Sequence, residues 1–168
     1  MRITVFGAAG NVGSRVVAEA VSRGHEVSAV VRDPARFPEL DAAANARAGD
    51  AGNVEGVAEL SAGRDVVINA TRPAPGREGE LVTTTKALLA GGDQLEACRA
   101  EAGVDWAYLS PAALLEPGER TGNYRLGTDE LLVDADGNST ISMEDLAVAL
   151  LDETERPKHR RTRFTAAY

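Results

Sequence analysis

The sequence predicts an α/β fold: a single domain over residues 1–168, built on an open parallel sheet with helices on both faces. Three observations predict it. Ile3 to Phe6 is a short apolar, β-branched run of the kind buried in a parallel sheet, and it stops at Gly7. Val12, Val16, Val17, Ala20 and Val21 then recur at helical spacing, which gives a helix one face to lay on a sheet. Val27 to Val31 is a second apolar strand, so strand, glycine turn, helix and strand close within about thirty residues, the size of a βαβ unit.

The turn of that unit reads Gly7-Ala8-Ala9-Gly10-Asn11-Val12-Gly13. Gly7 takes the chain out of the strand, Gly10 lets the backbone approach a pyrophosphate, and Gly13 lets the helix pack closely on the strands. The N–H groups around Asn11 and Val12, with the positive end of the helix dipole behind them, then form an anion site. A glycine triplet alone is weak, but one set between a strand and an amphipathic helix meets the context of a Rossmann-type dinucleotide site.

Position 32 bears on which dinucleotide. A carboxylate at the end of the second strand holds a ribose 2′-hydroxyl, whereas an arginine accommodates a 2′-phosphate. The residue is Arg32, so NADP(H) is expected over NAD(H). One charge-assisted contact of about 1.5 to 3 kcal/mol corresponds to a roughly ten- to hundredfold preference. A solvated surface arginine is the alternative, and Asp33-Pro34 reads as a turn start rather than as the ribose carboxylate.

Farther along, Pro34 to Asp41 suits a loop and short helix, and Asn45 to Asp50 a weak third strand ending in a turn. Asp50 stands where an adenine ring would rest, and an acidic turn residue explains it equally well. Val54 to Leu60 suits a helix, and Asp65 to Ala70 a fourth strand whose end, Ala70-Thr71-Arg72, belongs beside Gly7 at the topological switch point. The strand order is then 3-2-1-4, continuing outward through the later strands. Pro73, Pro75 and Gly76 make a stiff loop, and Leu81 to Leu89 is helical. Val104 to Leu109 reads as a strand. Leu131 to Val133 and Thr140-Ile141 read as short strands around the turn-rich Asp134 to Asn138. Ser142 caps a helix over Met143 to Glu153 that buries Leu146, Ala147, Leu150 and Leu151. Residues 1–90 form the cofactor half, and 93–168 the substrate side and cap.

Composition narrows the partners. A net charge of −8 argues against nucleic acid, and the basic stretch Lys158 to Arg163 suits a solvated segment. The lone Cys98 makes no internal disulfide, and with two histidines it assembles no all-protein zinc site, so no metal is expected and a cytoplasmic location is. No signal peptide and no apolar run of membrane-spanning length is seen. The 134–145 stretch mimics a calcium loop, but its glycine is displaced and no helix precedes it. Ser110 has no evident His partner for a hydrolase triad, and Tyr124 is readable either as a proton donor or as a packed edge residue. The partner that remains is a small molecule; oligomeric state is not legible.

Gly7-Ala-Ala-Gly10-Asn-Val-Gly13, Arg32-Asp-Pro, Gly49-Asp50, Asn69-Ala-Thr, Trp106-Ala-Tyr-Leu-Ser-Pro111 and Arg163-Phe-Thr-Ala-Ala-Tyr168 together resemble the atypical short-chain dehydrogenase/reductases, the NAD(P)H-binding NmrA-like and flavin (biliverdin) reductase-like group. The resemblance implies that Ser110-Pro111-Ala112 leaves its strand towards the nicotinamide end of the crevice. Ala9 stands where these proteins often carry threonine. The cofactor-binding set is then Gly7, Ala9, Gly10, Asn11, Val12, Gly13, Arg32, Asp50, Ala70, Thr71, Arg72 and Pro111. No Tyr-x-x-x-Lys pair exists, the lysines being 86 and 158, and no catalytic residue is assigned. Helices ending near Ala90 and starting near Asp93 leave no room for the fifth strand and substrate loop the resemblance implies. Either these are deleted or a stretch is missing from the sequence. The expectation is a missing stretch, with Gly91 and Gly92 far beyond the about 3.8 Å of a trans peptide. The implied function is an NADPH-dependent oxidoreductase passing hydride to a flavin- or quinone-class acceptor. The alternative is a non-catalytic NADP(H)-binding redox sensor.

Overall fold

The apolar run after Met1 becomes β1 (Arg2–Phe6), in which every residue from Ile3 to Phe6 is buried. The computed structural model describes residues 1–72 and 103–168, and the chain divides into two units, Met1–Glu101 and Ala102–Tyr168. The expected loop at Pro73 to Gly76, the helix at Leu81 to Leu89 and the seam at Gly91-Gly92 lie outside the described residues.

In the first unit β1 leads through α1 (Asn11–Ser22) to β2 (Glu26–Val31), as the spacing predicts. Helix α1 buries Val16, Val17 and Ala20. A 3-10 turn at Pro34–Arg36 and α2 (Pro38–Ala43) then lead to β3 (Asn45–Ala48). Next come α3 (Val54–Ser61) and β4 (Val66–Asn69). All ladders are parallel and the order is β3-β2-β1-β4, as expected, with Val5 opposite both Ala29 and Ile68. Asn53 caps α3, its Oδ1 accepting from the Gly56 N–H at 3.1 Å, and Val57 and Leu60 pack with Phe6, Val30 and Ala51. Thr4 is fully buried on β1, and its hydroxyl donates to the Leu60 carbonyl at 3.0 Å, so no polar group is stranded there.

Entry into the fourth strand is fastened to the first. The Arg2 N–H donates to Asp65 Oδ2 at 2.7 Å, and this bond, followed by the Arg2 guanidinium, holds the Asp65 carboxyl below its ordinary value.

In the second unit β5 (Ala107–Pro111) is followed by β6 (Leu114–Glu116), β7 (Arg125–Gly127), β8 (Thr140–Ser142), α4 (Met143–Glu155) and β9 (Thr162–Ala167). The last strand is central: β9 pairs parallel with β5 on one side and antiparallel with β7 on the other. A second small ladder joins β6 and β8 in parallel. The later strands therefore have ladders of their own. Leu146, Ala147 and Leu151 of α4 are buried as expected, while Leu150 is only half-buried.

Two expectations shift. The strand expected over Val104 to Leu109 runs instead from Ala107 to Pro111, because pairing with β9 begins at Ala107 opposite Thr162. Leu131 to Val133 is not a strand. Leu131 and Val133 are 55% and 44% exposed and only Leu132 is half-buried, while Thr140–Ser142 pairs with Leu114–Glu116 instead. The turn that follows is closed by Asp134, whose Oδ1 accepts from the N–H groups of Asp136 and Asn138 at 2.9 and 2.8 Å.

At the far end of α4, Glu153 Oε1 accepts from the backbone N–H groups of Lys158 and His159 at 2.8 and 2.7 Å, and Oε2 lies 2.8 Å from His159 Nδ1. Burial opposes the ionised form, but the His159 N–H, its imidazole and the Lys158 N–H outweigh it and hold the carboxyl below its ordinary value of 4.5. The unfolded chain therefore binds more protons between the two values, so this contribution is complete above pH 4.5 and is lost as pH falls through the folded value. Glu153→Gln is expected to unfold at lower urea than wild type at neutral pH, the gap narrowing on acidification; a gap independent of pH would contradict this.

Candidate functional site

The turn after β1 is determined by contacts between backbones. Gly7 has φ +78°, and a Cβ there would stand 2.7 Å from the Ala70 carbonyl oxygen and 2.9 Å from the Thr71 nitrogen. The expected neighbourhood of Gly7 and the end of β4 is thus present, and the Ala70 N–H donates to the Phe6 carbonyl at 3.0 Å. A Cβ on Gly13 would lie 2.0 Å from the Gly7 carbonyl oxygen. The first turn of α1 therefore rests directly on the turn that precedes it, a closer approach than the helix-on-strand packing read from the sequence.

Gly10 is the N-cap of α1 and offers no side-chain cap, so the opening N–H groups of the helix, at Asn11, Val12 and Gly13, are left for another acceptor. Its own N–H is satisfied by the Gly7 carbonyl at 2.9 Å. Ala9, Gly10 and Asn11 are exposed, Val12 is half-buried and Gly13 is buried. An open glycine turn feeding uncapped N–H groups at a helix start has the donor set a pyrophosphate needs.

The ends of the neighbouring strands complete the rim. Arg32 is exposed immediately after β2 and makes no hydrogen bond or ion pair among the described residues. Asp33 is engaged in the turn, its Oδ1 accepting from the Ala35 N–H at 3.2 Å. Val31 lies opposite Ala48, so Arg32 and Asp50 leave adjacent strands in the same direction. Asp50 Oδ1 accepts from the Gly52 N–H at 2.8 Å, which makes Asp50 at least a turn residue. After β4, Thr71 donates from both its N–H and its hydroxyl to Asn69 Oδ1, at 3.1 and 2.7 Å. Asn69 thereby fixes the turn through Ala70, Thr71 and the exposed Arg72. Asparagine at a strand end is a recognised turn former, and that signal could have added Asn69 to the set.

Eleven residues of the expected set thus gather at the carboxyl ends of β1 to β4 in the first unit, the position of ligand sites in open α/β sheets. Pro111 belongs to the second unit, where it is the exposed last residue of β5, opposite Ala166. Tyr124, also of the second unit, donates its hydroxyl to Asp152 Oδ2 at 2.5 Å. Among the described residues no cluster of metal-ligating side chains forms, and no helix is long and apolar enough to cross a membrane.

Residues 7–94 match a protein family described as NAD(P)H-binding. The Bacillus subtilis protein YwnB is 33% identical to this chain, covering 98% of it and 97% of YwnB. That alignment spans 215 positions against a chain of 168 residues, so YwnB carries residues with no counterpart here. Among solved structures, one from Burkholderia pseudomallei shares 34% identity over 100% of both chains with a TM-score of 0.87. Another, from Streptococcus pneumoniae TIGR4 and provisionally named an NADH-flavin reductase, shares 25% identity over 99% of both chains with a TM-score of 0.83.

Proposed function

Because this chain belongs to the NAD(P)H-binding family, we propose that it is an NADPH-dependent reductase passing hydride to a small planar acceptor of the flavin or quinone class. The observation that carries the proposal is the pairing of an uncapped helix start behind Gly7-Gly10-Gly13 with Arg32, which has no partner among the described residues, one strand away. Bound NADPH would supply the hydride. The chain's part is to hold it: N–H groups of Asn11, Val12 and Gly13 for the pyrophosphate, Arg32 for the 2′-phosphate, Asp50 at the adenine edge and Ala70-Thr71-Arg72 along the crevice. For a planar acceptor that needs no positioned proton donor, proximity and orientation are the protein's main contribution. The name of the S. pneumoniae relative points to the same reaction class. A cytoplasmic setting, with its reduced nucleotide pool, belongs to the proposal.

Arg32→Ala is expected to weaken NADPH binding about ten- to hundredfold while leaving NADH nearly unchanged, as a charge-assisted contact to the 2′-phosphate requires. Fluorescence titration of both reduced cofactors measures it. Equal losses for the two would remove the assignment of Arg32.

The absence of a Tyr-x-x-x-Lys pair favours a second reading, a module that binds NADP(H) and reports its redox state without turnover. Steady-state oxidation of NADPH with flavin mononucleotide and a soluble quinone separates the two. Tight NADPH binding without oxidation by either acceptor would leave the sensor standing.

A further inference from the structure

The carboxyl end of α4 borders a cavity of about 220 Å³ in the second unit, in which no cofactor contact has been placed. Leu126, Ala149, Phe164 and the ring of Tyr124 give its wall an apolar surface. The two carboxylates in the wall are already engaged. Asp152 accepts the Tyr124 hydroxyl, and both oxygens of Glu153 are taken up by Lys158 and His159. The His159 ring is in turn stacked on Phe164, with centroids 4.3 Å apart and planes 7° from parallel, which stiffens that side.

The two cations differ. Arg156 and Lys158 line the same cavity and are exposed, and among the described residues neither side chain makes a hydrogen bond or ion pair. The unmet bonding capacity is therefore positive charge beside an apolar wall. We propose that this cavity binds a small carboxylate bearing one flat apolar ring, the carboxylate on Arg156 and Lys158 and the ring against Leu126 and Tyr124. Its volume is below the roughly 300 Å³ at which pockets for drug-sized ligands begin, which limits the occupant to a single ring. A guanidinium presents paired donors that match a carboxylate, and the lysine adds a second charge. Every residue invoked lies in the second unit, so the site stands whether or not the reductase reading does.

The probe is benzoate, titrated into the full chain and followed by saturation-transfer NMR. Saturable binding is expected, unaffected by an excess of NADPH, and not competed by benzylamine, which has the same ring and the opposite charge. The double variant R156A/K158A is expected to weaken it about tenfold or more, the loss of at least one charge-assisted contact. Both positions are exposed, so circular dichroism should show an intact fold. Leu126→Glu, at a residue 42% exposed, gives an independent reading by placing a like charge at the wall and should weaken benzoate comparably. Absence of saturable binding, unchanged binding in both variants, competition by benzylamine, or displacement by NADPH would each overturn the proposal.

Discussion

Gly13→Ala is expected to lose NADPH binding and to be destabilised by about 3 kcal/mol or more, at the upper end of overpacking costs. The added Cβ would stand 2.0 Å from the Gly7 carbonyl oxygen and 2.8 Å from its carbon, and both are backbone atoms that no rotamer can move aside. Relief requires the start of α1 to lift from the turn, which also redirects the N–H groups proposed to hold the pyrophosphate. Gly10→Ala is the control. Its Cβ would meet the Gly7 oxygen at 3.1 Å, a contact that a shift of a few tenths of an ångström relieves. That variant should stay within about 1 kcal/mol of wild type while binding the cofactor more weakly. Urea denaturation and cofactor titration on both proteins check the pair, and a Gly13→Ala protein of native stability would contradict the packing argument.

The second large effect is expected far from the glycine turn. Asp145, in the first turn of α4, is fully buried. Its Oδ2 accepts from the hydroxyls of Thr121 and Tyr168 at 2.6 and 2.8 Å, and its Oδ1 accepts from the Gly122 N–H at 2.8 Å. Its own N–H is taken by Ser142 Oγ at 2.9 Å, so the residue joins the helix cap, a loop and the end of β9. Asp145→Ala would take the buried acceptor from three donors on exposed residues at its edge, and a loss of about 1 to 3 kcal/mol is expected. Asp145→Asn keeps the volume and some of the acceptors, so its loss should be smaller. Hydrogen exchange at the Gly122 amide gives a local measure: it should accelerate in both variants, and an unchanged rate would show that the carboxylate does not hold the loop.

What could be seen beforehand divides by the range of the interactions. The β1-α1-β2 unit is legible because its signals are local: an apolar run, a glycine turn and helical spacing recur within a few residues of one another. The same holds for the Ser142 cap and for the Asp33 turn. The rim proposed to hold the cofactor follows from the same unit once parallel order places the strand ends together. From the sequence Asp145 reads as the last residue of the 134–145 stretch that mimics a calcium loop and as part of a helix start, and not as a tie between segments, because its partners Thr121 and Tyr168 stand 24 and 23 residues away. Leu131 to Val133 misleads for the converse reason, being apolar in composition but exposed at two of its three positions with no partner strand. The cavity beside α4 has no motif at all, since its wall draws on β7, α4 and β9 together.

The place of β9 sets a timetable for synthesis. Both neighbours in its ladder, β5 and β7, precede it, and the first pair joins Ala107 to Thr162. At about 5 to 20 residues per second, a ribosome needs roughly 3 to 11 s to make the intervening chain. From the completion of β7 until β9 arrives, the emerging segment carries two strands with unpaired edges, a condition that invites pairing with other chains. The sheet of the second unit can close only after Ala167 has been added, whereas β1 can pair with β2 some twenty residues after it is made. The nascent protein can therefore form its parallel glycine-turn sheet first, then the β6-β8 ladder, and the β5-β9-β7 sheet last. A ribosome stalled before Thr162 would hold β5 and β7 with no strand between them.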